Sequence, residues 1–244
     1  MPHFFINSND VKENKIILSD KENYVHIVKA LRAKIGEKIL LIDENEIQYE
    51  GIISNIFKSE IEIDIKKSYK SSRKLDFELF LAQSPLRSES QATIIEKATE
   101  LGVKGIYPIY TDNCALKKNI IEQKIEKWQK IMKEASKQCE RANLPTCFNL
   151  FSMEKLISET KFDRILVFAE RNTQIGLKNY LRNNPILKNE KILAIIGPEG
   201  GFSQKEFDFF KEKNLPMLSL GNLILKAETA VITAVGNIIY EFDN

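Results

Sequence analysis

The stretch from Lys191 to Ala230 constrains the fold more than any other part of the chain. Ile192-Leu193-Ala194-Ile195-Ile196 is apolar without a break. A strand with one wet face alternates apolar and polar residues, so an unbroken run marks a strand covered on both faces, as in a parallel sheet between helical layers. Gly197-Pro198-Glu199-Gly200-Gly201-Phe202 follows at once. Glycine admits a ligand to the main chain where a Cβ would block it. Ser203 with Glu206 three residues on is a capping box, so a helix starts there. A second unit repeats the plan: strand Met217-Leu218-Ser219-Leu220, loop Gly221-Asn222-Leu223-Ile224-Leu225, then Lys226-Ala227-Glu228-Thr229-Ala230 opening a helix. Glycine loops at the carboxyl ends of buried strands are where open α/β sheets bind ligands. One such loop is as readily a tight turn; two in succession point to a site. Neither fits G-x-G-x-x-G or G-x-x-x-x-G-K-[ST], so the usual dinucleotide and P-loop fingerprints are absent.

The 244 residues suffice for one large domain or two smaller ones, and 43% hydrophobic residues can fill a core. No apolar run approaches the roughly 20 residues of a membrane helix, and the start of the chain lacks signal-peptide order. A soluble cytoplasmic protein without membrane contact is expected. Cys114, Cys139 and Cys147 are odd in number and form no C-x-x-C pair, which argues against a disulfide framework or zinc site. With His3 and His26 the only histidines, no metal is expected. A net charge of +2 is a weak footprint for nucleic acid. Lys117 to Arg141, however, concentrates eight Lys and Arg residues against four Glu.

Residues 1–70 read as a small, mostly β domain. Strands are expected at Lys38–Asp43, Ile47–Ile53 and Glu60–Lys66, the last in strict alternation. A helix is expected between Asp20 and Lys34, capped by Asp20, with His26, Lys29 and Arg32 on one face. A helix plus several short strands suggests a small barrel. Ser68–Lys74 is the best linker candidate, giving a linker at 71–75 and a second domain at 76–244. From Leu75 strands and helices alternate: strand Phe77–Ala82, helix Ser88–Leu101, strand Ile106–Tyr110, a long helix Ile120–Arg141, strand Ile165–Ala169, the two units above, and a closing apolar helix Ala227–Phe242. Such alternation implies a mainly parallel sheet covered on both sides.

Ile196-Gly197-Pro198-Glu199-Gly200-Gly201-Phe202-Ser203, followed by Leu218-Ser219-Leu220-Gly221-x-x-Ile224-Leu225-Lys226-x-Glu228-Thr229-Ala230, closely resembles the ribosomal small subunit methyltransferase E family of the SPOUT superfamily. Lys97-Ala98-Thr99-Glu100-Leu101-Gly102-Val103 and the series Trp128, Ile131, Glu134, Ala135, Gln138, Arg141 and Pro145 match it too. The resemblance implies an α/β fold: a SPOUT (alpha/beta knot) methyltransferase domain with a deep trefoil knot, preceded by a small PUA-like β-barrel domain that contacts RNA. It implies S-adenosylmethionine as cofactor, methylation of N3 of one uridine (position 1498 in the usual rRNA numbering) in 16S rRNA of the 30S ribosomal subunit, and a homodimer. Two positions depart from the family: His3 and Lys226 stand where Arg is usual. Arg87 stands near the family's Lys before the following helix.

The chemistry requires loss of the proton on uridine N3, by a base or with stabilisation of charge on O2 and O4. The resemblance gives Lys226 and Glu199 as candidates there, with Glu199 and Glu228 equally able to cap helices. For the cofactor it gives Phe168, Ala169 and Glu170, then Ile196, Gly197, Pro198, Glu199, Gly200 and Gly201, then Leu218, Ser219, Leu220, Gly221, Leu225, Lys226, Thr229 and Ala230. For RNA it gives Arg32, Arg87, Gln138 and Arg141, and Lys29 joins them by its place beside Arg32 on the expected helix face. Lys97 and Glu100 are read as a structural pair, and Trp128 as core. The competing readings are a SPOUT enzyme acting on a ribose 2′-hydroxyl or on tRNA, and a non-catalytic RNA-binding assembly protein that keeps the fold.

Overall fold

The structure is a computed structural model that describes residues 3–170, 173 and 175–242. The chain divides into two compact units, Met1–Lys74 with Ser136–Leu144, and Leu75–Ala135 with Pro145–Asn244.

The first unit holds β1 (His3–Phe5), β2 (Val11–Lys12), β3 (Lys15–Leu18), α1 (Lys21–Tyr24), β4 (Lys38–Ile42), β5 (Ile47–Ile56) and β6 (Ile61–Lys70). Its sheet runs β1-β4-β5-β6-β3-β2, parallel only between β1 and β4. The alternation in β6 sends Ile61 and Ile63 inward, in register with Leu18 and Ile16 of β3, and all four are fully buried. The polar stretch from Ser68 is strand as far as Lys70, paired with Ile47–Tyr49. Beyond it, the Ser71 N–H donates to the Glu46 carbonyl at 2.9 Å, and the Ala142 N–H donates to the Arg73 carbonyl at 3.0 Å.

Asp20 caps α1, accepting the Asn23 N–H at 2.8 Å. The helix then widens into a π turn over Val25–Ala30, where the Leu31 N–H reaches back five residues to the His26 carbonyl at 2.9 Å. This overturns the expected shared face of His26, Lys29 and Arg32. A π turn destroys the three-residue spacing, and Arg32 lies past the helix at φ +53.

The second unit holds β7 (Glu78–Gln83), α2 (Ser88–Glu100), β8 (Gly105–Tyr110), α3 (Lys118–Glu122), α4 (Ile125–Gln138), β9 (Thr146–Cys147), β10 (Phe151–Ser152), α5 (Met153–Glu159), β11 (Arg164–Phe168), β12 (Ile175–Gly176), α6 (Leu177–Asn183), β13 (Lys191–Ile196), α7 (Gln204–Glu212), β14 (Met217–Ser219) and α8 (Ala227–Phe242). Every strand pair in it is parallel, in the order β10-β8-β7-β13-β11-β14-β12, with β9 also on β8. β13 lies inside this sheet, which explains its apolar run. Ile192, Ala194 and Ile196 enter one core with α2 and α8, while Leu193 and Ile195 enter a second with α5 and α7. The long helix expected over Ile120–Arg141 is two helices. The Lys124 N–H bonds the Ile121 carbonyl at 2.9 Å, tightening the turn that separates α3 from α4. α4 ends at Gln138, and Glu140 sits at φ +54. Gln138 and Arg141 therefore do not share a helical face, as they would on a helix running to Arg141. Trp128 is buried as expected, and Lys97 pairs with Glu100 at 2.9 Å and with Glu96 at 2.6 Å.

Candidate functional site at the carboxyl edge of the parallel sheet

Because all strands of the second unit run the same way, β7, β13, β11 and β14 bring Gln83, Ile196, Phe168 and Ser219 to one edge. The two glycine loops leave that edge from β13 and β14, which do not pair with each other. Both pair with β11, so the loops flank Ala169 about 10 Å apart, two strand spacings. The Ala169 N–H donates to the Leu218 carbonyl at 3.2 Å.

The loop after β13 is stitched down. The Gly201 N–H closes a turn on the Pro198 carbonyl at 2.9 Å, with Gly201 at φ +69. Asn113 donates through Nδ2 to the carbonyls of Gly201 at 3.0 Å and Gly200 at 3.4 Å. The expected capping box forms: the Ser203 N–H donates to Glu206 Oε2 at 2.7 Å and the Glu206 N–H to Ser203 Oγ at 3.3 Å. Glu206 Oε1 also accepts the Asp112 N–H at 3.1 Å, and Ser203 Oγ donates to Asp112 Oδ2 at 2.6 Å. Glu206 is buried, and burial pushes its carboxyl up, against the pull of the Ser203 and Asp112 N–H groups. At Gly197 a Cβ would come within 3.1 Å of the Phe202 ring, which packs edge-on against Phe210 and Phe207. One strand over, the Ser84 N–H donates to the Ile196 carbonyl at 3.2 Å, and the buried Ser84 and Thr111 hydroxyls bond at 2.7 Å.

The loop after β14 is different. Leu223 and Ile224 are 81% and 67% exposed, and Gly221 stands at φ +140. Among the described residues the main chain of Gly221–Leu225 makes no hydrogen bond outside regular structure. The Lys226 carbonyl accepts the Ala230 N–H at 2.8 Å, starting α8, and the Lys226 side chain is exposed. Glu228 lies in the first turn of α8, where a carboxylate complements the helix dipole.

The structure thus gathers the candidate cofactor residues along one edge. Phe168, Ile196, Gly197, Pro198 and Leu218 are buried, Ala169, Gly201, Ser219, Leu220, Leu225 and Ala230 half-buried, and Glu170, Glu199, Gly200, Gly221, Lys226 and Thr229 exposed. Of the candidate RNA residues, Arg87 is exposed in the second unit, just before α2. Lys29, Arg32, Gln138 and Arg141 all fall in the first unit. Arg141 is buried, which lowers its guanidinium pKa to about 10 without discharging it, and it donates to Asn143 Oδ1 at 2.9 Å. His3 is buried, with no hydrogen-bond partner at either ring nitrogen among the described residues, and burial lowers its pKa from 6.5 to about 4. Sequence reading missed Gln83, Ser84, Thr111, Asp112 and Asn113. The available signal was the Thr-Asp-Asn turn directly after the apolar strand β8. Among the described residues no group of three or more His, Cys, Asp or Glu is arranged to hold a metal, and no helix is long and apolar enough to cross a membrane.

Residues 73–239 match the family model described as an RNA methyltransferase domain, and residues 18–66 match that of an RNA methyltransferase PUA domain. A ribosomal RNA small subunit methyltransferase E of Mesomycoplasma hyopneumoniae is 30% identical, the match covering 95% of this chain and 96% of the relative. The enzyme of that name from Rickettsia conorii is 29% identical over 96% and 93%. A Legionella pneumophila protein solved in complex with the bound cofactor SAM is 26% identical, with TM-score 0.84 over 97% of this chain and 96% of that one.

Proposed function

The chain belongs to the ribosomal RNA small subunit methyltransferase E family, and on that premise we propose that it transfers a methyl group from S-adenosylmethionine to N3 of a single uridine in 16S rRNA. The observation that supports this most is the carboxyl edge itself: two glycine loops in tandem, either side of β11, in a chain that matches the family nearly end to end. The residues fit the cofactor. Open space lies where a Cβ would stand at Gly201 and Gly221. Among the described residues the main chain of Gly221–Leu225 is unpaired, beside the half-buried Leu220 and Leu225. An adenine needs that combination, apolar faces with main-chain groups at its edge.

The residues that would hold it are Phe168, Ala169 and Glu170, the loop 196–201, and Leu218–Gly221 with Leu225, Thr229 and Ala230. When bound, S-adenosylmethionine supplies an electrophilic methyl group. The chain's own work is to place uridine N3 in line with it and to manage the N3 proton. Lys226, exposed at the start of α8, offsets the negative charge that develops on O2 or O4. Glu199, exposed on the turn between the glycines, is the carboxylate available to take the proton. Lys29, Arg32 and Gln138, exposed in the first unit, and Arg87, exposed in the second, are each offered to the RNA, whereas Arg141 is buried and acts by holding Asn143.

The order β13-β11-β14, which carries the chain across β11 between two consecutive strands, supports the deep trefoil knot, and the six-stranded sheet of the first unit supports a PUA-like barrel. The exposed apolar Leu223, Ile224 and Tyr240 support a homodimer. The substrate is 16S rRNA, free or within the 30S subunit, and the enzyme works in the cytoplasm. Primer extension on rRNA tests the assignment. A stop at one uridine should vanish in a deletion strain and return with the wild-type gene. A stop that persists in the deletion strain overturns it.

A further inference from the structure

Gln83 is the last residue of β7, in register with Ile196, the last residue of β13. Its side chain is fully buried. Nε2 donates to the neighbouring Ser84 carbonyl, which fixes the amide, because reversal would set two carbonyl oxygens against each other. Oε1 is then left without a partner among the described residues. Buried carbonyls of this kind are rare, since losing water without gaining a donor is costly.

The position of the orphan is informative. Leu79 and Leu81, four and two residues earlier, enter the core shared with α2 and α8, and strand alternation puts Gln83 on that same face. Phe168, Ile196 and Leu218, at the carboxyl ends of β11, β13 and β14, enter that core as well. The unpartnered acceptor thus stands at the edge and on the face where the two glycine loops begin. No catalytic step described above uses it.

We propose that Gln83 is a ligand-binding residue whose Oε1 accepts a hydrogen bond from an N–H or O–H group of the bound S-adenosyl compound. The donors that chemistry offers are the adenine amino group, a ribose hydroxyl and the amino-acid ammonium. The assignment rests on the cofactor site described above. It also explains why a polar, uncharged side chain closes a strand whose preceding residues, Leu79 to Ala82, are all apolar.

Calorimetry with S-adenosylhomocysteine tests it. Gln83→Met keeps the length of the side chain and removes the acceptor, and should weaken binding about tenfold with little change in melting temperature. Gln83→Glu, as the neutral acid at mildly acidic pH, keeps an acceptor and offers an O–H to the Ser84 carbonyl. It should bind within about threefold of wild type. Affinities for both variants equal to wild type, or lowered equally, overturn the proposal. A matching loss with 5′-methylthioadenosine puts the donor on the adenosine half; a loss confined to S-adenosylhomocysteine puts it on the amino-acid half. In the unaltered protein the Gln83 side-chain amide resonance should move on saturation with ligand, whether or not either variant folds. A resonance that stays in place overturns the proposal. Absence of any binding by the wild type strikes the cofactor site itself instead.

Discussion

The two glycine loops of the carboxyl edge arise from one sequence plan and are held in opposite ways. The loop after β13 is bonded to Asn113, Asp112 and the cap of α7, and its one aromatic residue, Phe202, is anchored against Phe207 and Phe210. The loop after β14 turns Leu223 and Ile224 to solvent and leaves its main chain unpaired among the described residues. The contrast suggests a division of labour. A wall already fixed before ligand arrives loses little entropy on binding, whereas an open wall must be ordered by what it binds. Of the two groups proposed for the chemistry, Lys226 ends the open loop and Glu199 stands on the fixed one.

The largest expected effect is on the open side. Lys226→Ala should lower methyl transfer about 100-fold, which is about 2.7 kcal/mol of transition-state stabilisation, with S-adenosylhomocysteine affinity little changed. Single-turnover kinetics beside calorimetry would show it. Loss of binding instead would move Lys226 from chemistry to cofactor retention.

Glu206→Ala probes the fixed side. It removes the acceptor for both the Ser203 and Asp112 N–H groups and should cost about 1–3 kcal/mol in denaturant unfolding. No cost would mean that the stitching is decorative.

The first unit offers a third comparison, since His3 is buried with no hydrogen-bond partner at either ring nitrogen among the described residues. Its folded pKa of about 4 lies below its ordinary 6.5. The unfolded chain therefore binds more protons between those values, and stability present above pH 6.5 is lost as pH falls toward 4. The slope is at most about 1.4 kcal/mol per pH unit. Unfolding curves of His3→Phe should lack that component, and equal pH slopes would contradict it. The smallest effect belongs to Leu223→Ser, which should change unfolding of the monomer by less than about 0.5 kcal/mol because the side chain touches little. A larger change would show that this loop is packed after all.

Much of this was legible in the sequence because local rules and the global fold agree there. The Ile192–Ile196 run, the Ser203–Glu206 box, the Asp20 cap and the span of α8 all carry their own signal. The failures have physical causes. Apolar spacing continues from Ile121 through Trp128, so nothing in the pattern marks the break between α3 and α4. A π turn leaves no periodicity of its own, so Arg32 was misplaced. The short elements β9, β10, α5, β12 and α6 are two to seven residues long, too short for a period to emerge. Asp112 and Asn113 serve a loop some 90 residues away, and no local rule encodes such a pairing.

Amide hydrogen exchange with and without S-adenosylhomocysteine tests most directly whether the two loops together clasp the methyl donor through main-chain atoms. The account expects strong slowing across residues 218–226, a smaller effect across the already bonded 197–203, and little change elsewhere in the sheet. Exchange unchanged in both loops at saturating ligand would contradict it.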